Sequence, residues 1–201
     1  MLGLRGPSET DIRNLVGQAL FGDAAAVIIV GADPGTGERG QFEMVSALQD
    51  VIPGMEEAVV SKLYEEGIVF QLHRDLPLLV SSNIQQLTKK ALVNAGVLTG
   101  FDDGDRTEGL FWVVHPGGRE ILDRVESRLG LRKEKLAASR ELMRQYGNTL
   151  SSWVVLVLDE IRRRSAEQGL HTAEEGLEWV LLLAFGPGIT VKTIGLHALP
   201  N

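Results

Sequence analysis

The sequence predicts an α/β fold, a mixed sheet covered by helices. Short apolar runs rich in β-branched residues alternate with longer stretches of helical periodicity, and Gly, Pro and Asp punctuate the joins. No linker, composition break, internal repeat or low-complexity segment divides the 201 residues, so they read as one domain. A chain of this length buries roughly 70% of its unfolded surface, enough for a core without disulfides.

Ser8-Glu9-Thr10-Asp11 has the spacing of a capping box, and Ile12, Leu15, Val16, Ala19 and Leu20 behind it predict an amphipathic helix that Gly22-Asp23 stops. Ala24 to Val30 is a continuous small and β-branched run, which predicts a strand buried on both faces. Phe42 to Ile52 and Leu63 to Leu72 are further strand candidates, the second interrupted by Glu65-Glu66-Gly67 as a hairpin or bulge. Helical spacing runs from Leu78 to Val97, with Leu79, Ile84, Leu87, Ala91 and Leu92 on one side. Leu110 to Val114 is a short apolar strand entering His115-Pro116-Gly117-Gly118, where proline ends the strand and the glycines permit a tight entry into a helix. Helices over Glu120–Leu129, Lys133–Tyr146 and Ser151–Gln168 follow, and strands Trp179–Phe185 and Ile189–Leu199 flank Gly186-Pro187-Gly188.

Composition excludes several kinds of chemistry. With no cysteine, this chain has no disulfide, thiolate zinc site, iron–sulfur cluster or cysteine nucleophile of its own. The net charge of −7 has the wrong sign for a phosphate-binding surface, and Arg162-Arg163-Arg164 sits among Asp159, Glu160 and Glu167 as a solvated helix face would. The apolar stretch Trp179–Ile189 falls short of the ~18 to 20 residues that span a bilayer, and the first residues lack a leader pattern, so a cytoplasmic protein without a membrane partner is expected. Gly35-Thr36-Gly37-Glu38-Arg39-Gly40 matches the dinucleotide fingerprint, but Ala32-Asp33-Pro34 separates it from the strand and no convincing helix follows, so a hairpin loop is the expectation. His73, His115, His171 and His197 lack metal-ligand spacing, and no metal site is expected. Ser151-Ser152 reads as a helix start, and Trp112, Trp153 and Trp179 read as core.

Two polar residues have a more particular setting. His115 ends a buried strand before a glycine turn into a helix, where open α/β sheets place ligand-contacting groups. Asn148 follows Tyr146-Gly147 and precedes a buried helix. Singly, each fits a strand-end histidine or a helix-capping asparagine. Together with the glycine turns they suggest two hydrogen-bond donors converging on a developing oxyanion.

The segments Leu15-Val16-Gly17-Gln18-Ala19-Leu20-Phe21-Gly22-Asp23, Trp112-Val113-Val114-His115-Pro116-Gly117-Gly118, Tyr146-Gly147-Asn148, Gly176-Leu177-Glu178-Trp179 and Phe185-Gly186-Pro187-Gly188 resemble, in order, the C-terminal half of the type III polyketide synthases, the chalcone and stilbene synthase family of plants. The resemblance implies a thiolase-like half with a mixed five-stranded sheet covered by helices. It also implies an acyltransferase that condenses a CoA-linked starter with malonyl-CoA by decarboxylative Claisen chemistry, with CoA thioesters as substrates and no separate cofactor. By motif match His115 and Asn148 would stabilise the enolate, Phe21 would guard the junction of CoA tunnel and cavity, and Phe70 would form a second aromatic gate. Substrate contacts would come from Gly3, Gly17, Ser61, Leu150 and the loop Phe185, Gly186, Pro187 and Gly188. The sequence departs from chalcone-forming members at Gly3, Ser61, Leu150, Glu120 and Ala184, where the family usually has Thr, Gly, Ser, a small residue and Gly.

The family's catalytic Cys and the basic residues that hold CoA phosphates lie in its N-terminal half. Residues 1–201 are therefore expected to form a C-terminal-type domain lacking that half, a fragment that pairs with an N-terminal half or forms a homodimer. The alternative is a truncated or split-gene product, inactive alone.

Overall fold

A computed structural model describes residues 12–65, 67–98, 107–170 and 177–200. The chain runs through helix α1 (Ile12–Leu20), strands β1 (Phe42–Val51), β2 (Val59–Tyr64) and β3 (Gly67–Leu72), helix α2 (Leu76–Asn94), strand β4 (Leu110–Val114), helices α3 (Arg119–Leu129), α4 (Ala137–Tyr146) and α5 (Ser152–Glu167), and strands β5 (Trp179–Gly186) and β6 (Thr190–Ala198). A four-stranded sheet has the order β1-β6-β5-β4, with β4 parallel to β5 and the other two pairings antiparallel. It is the mixed α/β sheet expected, but with four strands where the sequence suggested five.

The difference has two sources. β2 and β3 close on each other as a separate hairpin, from Val59↔Leu72 to Tyr64↔Gly67. Ala24–Val30 joins no strand among the described residues, and Val27 and Ile29 are 89% and 94% exposed rather than buried. β-branched composition makes a segment suitable for a sheet, but a neighbouring edge must be present to pair with it. The capping box at Ser8–Asp11 lies outside the described residues, and α1 leaves Leu15 and Val16 about half exposed, so its apolar stripe is only partly covered.

β4, at one end of the sheet order, shows how a strand comes to read as an unbroken apolar run. Every residue from Leu110 to Val114 is buried, because both faces of the sheet are covered. Leu110, Trp112 and Val114 face a core with Val80, Ile84 and Leu87 of α2 and Ile121, Leu122 and Val125 of α3. Phe111 and Val113 face the opposite core, with Leu142 of α4 and Trp153, Val157 and Ile161 of α5. The period of two along the strand thus splits one sequence between two cores, each fully buried side chain contributing ~1.5–3 kcal/mol. Trp112 keeps its indole N–H satisfied on the Thr107 carbonyl at 2.9 Å. Trp179 is only partly buried and lies on the His197 ring at 5.1 Å.

The surface follows the charge pattern. Arg162, Arg163 and Arg164 pair with Asp159, Glu160 and Glu167 along α5, as expected for a solvated face whose pairs each contribute little. The glycine-rich segment 35–40 leads into β1 rather than into a helix. Its Gly35 N–H donates to Glu38 Oε2 at 2.7 Å, as in a local turn, so the dinucleotide pattern is a loop. Among the described residues no helix is long and apolar enough to cross a membrane.

One packing contact makes a direct test of the α2–sheet interface. A Cβ on Gly195 of β6 would lie 2.8 Å from the Ala95 Cβ and 2.9 Å from Ser46 Oγ. Gly195→Ala must push the end of α2 off the sheet and is expected to cost ~1–3 kcal/mol, read as a lower urea midpoint; an unchanged midpoint would show that this interface gives way freely.

Candidate functional site

The site is built where β4, the ends of α1 and α4, and the hairpin come together. The His115 N–H donates to the Leu183 carbonyl at 2.8 Å, extending the parallel β4–β5 pairing by one residue and holding the histidine at the strand's end. Pro116 then stops the ladder. Gly117 takes a left-handed turn (φ 53°), and its N–H donates to His115 Nδ1 at 3.2 Å. His115 is buried, only 8% of the residue being exposed.

Asn148 arrives by a different route. α4 ends at Gly147, whose N–H caps the Met143 carbonyl at 3.0 Å with φ 69°. The next N–H, that of Asn148, donates to the Leu20 carbonyl at 2.8 Å, and the Gly22 N–H donates to the Asn148 carbonyl at 2.9 Å. These bonds form a short parallel bridge that sets Phe21 beside Asn148. The chains cross so closely that a Cβ on Gly22 would lie 1.4 Å from the Tyr146 carbonyl oxygen, so only glycine fits there. The Asn148 side chain then spans to the histidine turn: Nδ2 donates to the Gly117 carbonyl at 3.2 Å, and Oδ1 accepts the Leu150 N–H at 2.9 Å.

Phe21 stacks on Phe70 of β3, ring centroids 4.6 Å apart and tilted by 35°. Ser61 stands directly opposite Phe70 in the hairpin register, and a Cβ on Gly17 would come within 3.8 Å of the Phe21 ring. His115, Asn148, Phe21, Phe70, Ser61, Gly17 and Leu150 therefore form one continuous constellation. Phe185 and Gly186 end β5, the neighbour of β4, but the following turn contacts another region: the Ile189 carbonyl accepts the Ile52 N–H at 3.3 Å, and a Cβ on Gly188 would lie 3.6 Å from Glu56 Cα. Pro187 is exposed. Gly3 and His171 lie outside the described residues.

Burial dominates the electrostatics. Desolvation lowers the His115 pKa from the ordinary 6.5 to about 4, although hydrogen bonding to the Asn148 side chain and the Leu150 backbone acts the other way. At neutral pH the ring is therefore neutral. Because an N–H already points at Nδ1, the ring's own proton sits on Nε2, making that nitrogen a donor. The Asn148 side chain is thus hydrogen-bonded both to the Gly117 carbonyl and to His115. Two neutral donors tied through one glycine can stabilise negative charge developing on an oxygen. Among the described residues no group of three His, Cys, Asp or Glu could hold a metal ion.

The profile described as chalcone and stilbene synthases, C-terminal domain, matches residues 43–200. This chain belongs to the chalcone and stilbene synthase family. The profile of the same family's N-terminal domain matches residues 1–34, so α1, Phe21 and the exposed run Ala24–Val30 fall in that match. Members of this chalcone and stilbene synthase family are type III polyketide synthases. The Phe21–Asn148 bridge thus joins segments matched by two different family domains. Sequence reasoning did not anticipate Leu183, whose carbonyl anchors His115, nor the contact of Gly22 with Tyr146. The glycines on both sides of that crossing were the available signal.

The depressed pKa sets a pH dependence for stability. Between pH 6.5 and about 4 the unfolded chain binds the His115 proton and the folded chain does not, so stability falls as pH drops through that window, by up to about 3 kcal/mol. The part of the loss that His115 causes should vanish in His115→Gln, measured as urea midpoints at pH 7 and pH 4.5. An identical pH dependence in both proteins would mean that another group titrates.

Proposed function

We propose that this chain supplies the enolate-stabilising half of a polyketide-forming acyltransferase, in which a CoA-linked starter is condensed with malonyl-CoA in polyketide or flavonoid-type biosynthesis in the cytoplasm. The observation that carries the reading is the pair of donors, His115 Nε2–H and Asn148 Nδ2–H, coupled through Gly117 in a water-poor site.

The malonyl carboxylate leaves as carbon dioxide, and the electron pair of the broken C–C bond becomes an enolate whose oxygen lies between the two donors. The enolate carbon attacks the carbonyl of a starter held as a thioester, a C–C bond forms, and the thiolate departs. A neutral His115 donates without first losing charge, and burial strengthens each hydrogen bond to the oxyanion. Phe21 and Phe70 form the aromatic gate on the substrate's path, with Gly17, Ser61 and Leu150 bordering it; Gly3 and the loop Phe185–Gly188 complete the substrate contacts by family resemblance. CoA thioesters are the substrates, and the reaction uses no metal or separate cofactor.

A thiolate is required, and these 201 residues contain no Cys. The nucleophile in this proposal comes from an N-terminal half of the family, carried on another polypeptide or segment, with which the chain pairs. A homodimer is the further assembly proposed. The exposed apolar run Ala24–Val30 supports such pairing, because an uncovered stretch of this kind marks an interaction surface or an aggregation liability. The second reading, a truncated or split-gene product that does nothing without a full-length relative, rests on the same missing thiolate.

The test is reconstitution. The 201-residue chain alone should form no starter-dependent product from a CoA starter and malonyl-CoA by mass spectrometry. Adding a family N-terminal half should restore product and slow amide exchange across 24–30, and His115→Ala should lower the restored rate ~100-fold or more. Product from the chain alone, or turnover indifferent to His115→Ala, would overturn the assignment.

A further inference from the structure

Leu150 stands in a backbone conformation that leucine rarely adopts. Its φ is 58°, and its side chain is 49% exposed, so burial of the side chain does not account for the strain. What the conformation accomplishes is visible in its main-chain bonds. The Leu150 N–H turns back to Asn148 Oδ1 at 2.9 Å, the Leu150 carbonyl accepts the Trp153 N–H at 3.2 Å at the start of α5, and the Leu150 backbone also hydrogen-bonds the His115 ring.

The first of these bonds begins a relay. Because Oδ1 accepts from Leu150, the opposite end of the Asn148 amide, Nδ2, faces Gly117 and donates to its carbonyl at 3.2 Å. That bond holds the Gly117 turn, whose own N–H donates to His115 Nδ1 at 3.2 Å. Reversing the amide would set an NH2 against the Leu150 N–H and an oxygen against the Gly117 carbonyl, two repulsive contacts in a buried site. Only one orientation of Asn148 is compatible with a left-handed Leu150, and only one tautomer of His115 is compatible with the Gly117 N–H. We propose that Leu150 is a positioning residue: its left-handed backbone sets which end of the Asn148 amide faces Gly117 and, through that turn, which nitrogen of His115 carries the proton.

The proposal predicts a pattern across substitutions that is set by backbone preference. Glycine occupies φ near 58° freely, whereas a β-branched residue resists it. Leu150→Gly should preserve the relay and Leu150→Val should break it, although valine is the closer match in side-chain character.

The inference deepens the functional reading above, since it concerns the same two donors, but its test does not depend on turnover. In the ¹⁵N-labelled full chain at pH 7, long-range proton–nitrogen correlation identifies the His115 ring nitrogens, with His115→Gln supplying the assignment. Wild type and Leu150→Gly should show a protonated Nε2 and an unprotonated Nδ1, and Leu150→Val should show averaging between tautomers. A wild-type ring protonated on Nδ1, or a mixture, would overturn the proposal without any variant, so a Leu150→Val chain that fails to fold does not shelter it. A folded Leu150→Val with the wild-type tautomer would also overturn it. In the reconstituted enzyme, kcat of Leu150→Val should fall roughly 10- to 100-fold below that of Leu150→Gly. If reconstituted turnover ignores His115→Ala while the tautomer still follows residue 150, the functional reading fails and the positioning role stands.

Discussion

The crossing of two main chains at Gly22 and Tyr146-Gly147-Asn148 is the constraint from which the site follows. Two backbone hydrogen bonds, Asn148 to Leu20 and Gly22 to Asn148, join the end of α1 to the end of α4. They can form only because neither Gly22 nor Gly147 brings a Cβ into the gap. With the bridge in place Phe21 must stand beside Asn148, and its ring reaches Phe70 on the hairpin. Without it, the region matched by the N-terminal profile would have no main-chain bond to Asn148. The aromatic pair and the polar pair are thus positioned by one backbone contact rather than by their own side chains.

The sheet performs the complementary task for His115. β4 is buried on both faces, so its path is dictated by two cores at once, and the parallel pairing with β5 continues to the histidine's own N–H. A side chain at the end of so constrained a strand has little freedom, so its hydrogen-bonding groups are held in a fixed direction. The same burial removes the ring's charge at neutral pH. His115 is therefore suited to donate a hydrogen bond and poorly suited to sit as a cation beside a thiolate in this state of the chain.

The segment that disagrees most with its sequence pattern is also the one with the clearest unmet need. Ala24–Val30 has the composition of an interior strand, yet its valines and isoleucines face solvent. Local preference and observed environment conflict there, and such conflicts are expected at functional or strained sites. The sheet shows a milder conflict at one edge, where β1 leaves Met44, Val45 and Val51 exposed, while β4 is buried throughout.

Much of this molecule was legible before any coordinates. Apolar periodicity located β4 to the residue and the helices to within a few residues, and the settings of His115 and Asn148 marked them as candidates, because spacing and turn chemistry are local properties written directly in the residues, whereas Phe21 was marked by family resemblance alone. Pairing is not local. Whether Ala24–Val30 finds an edge, whether β2 and β3 join the main sheet or each other, and whether Phe21 meets Phe70 depend on surfaces far apart in the chain. The direction of the Asn148 amide and the protonated nitrogen of His115 belong to the same class, since each depends on a donor that only the folded backbone of Leu150 or Gly117 can aim. Local residue patterns dictate which elements form and which polar groups stand at their ends; how those groups face one another is set by contacts between distant segments, because hydrogen-bond direction and desolvation exist only once those segments have met.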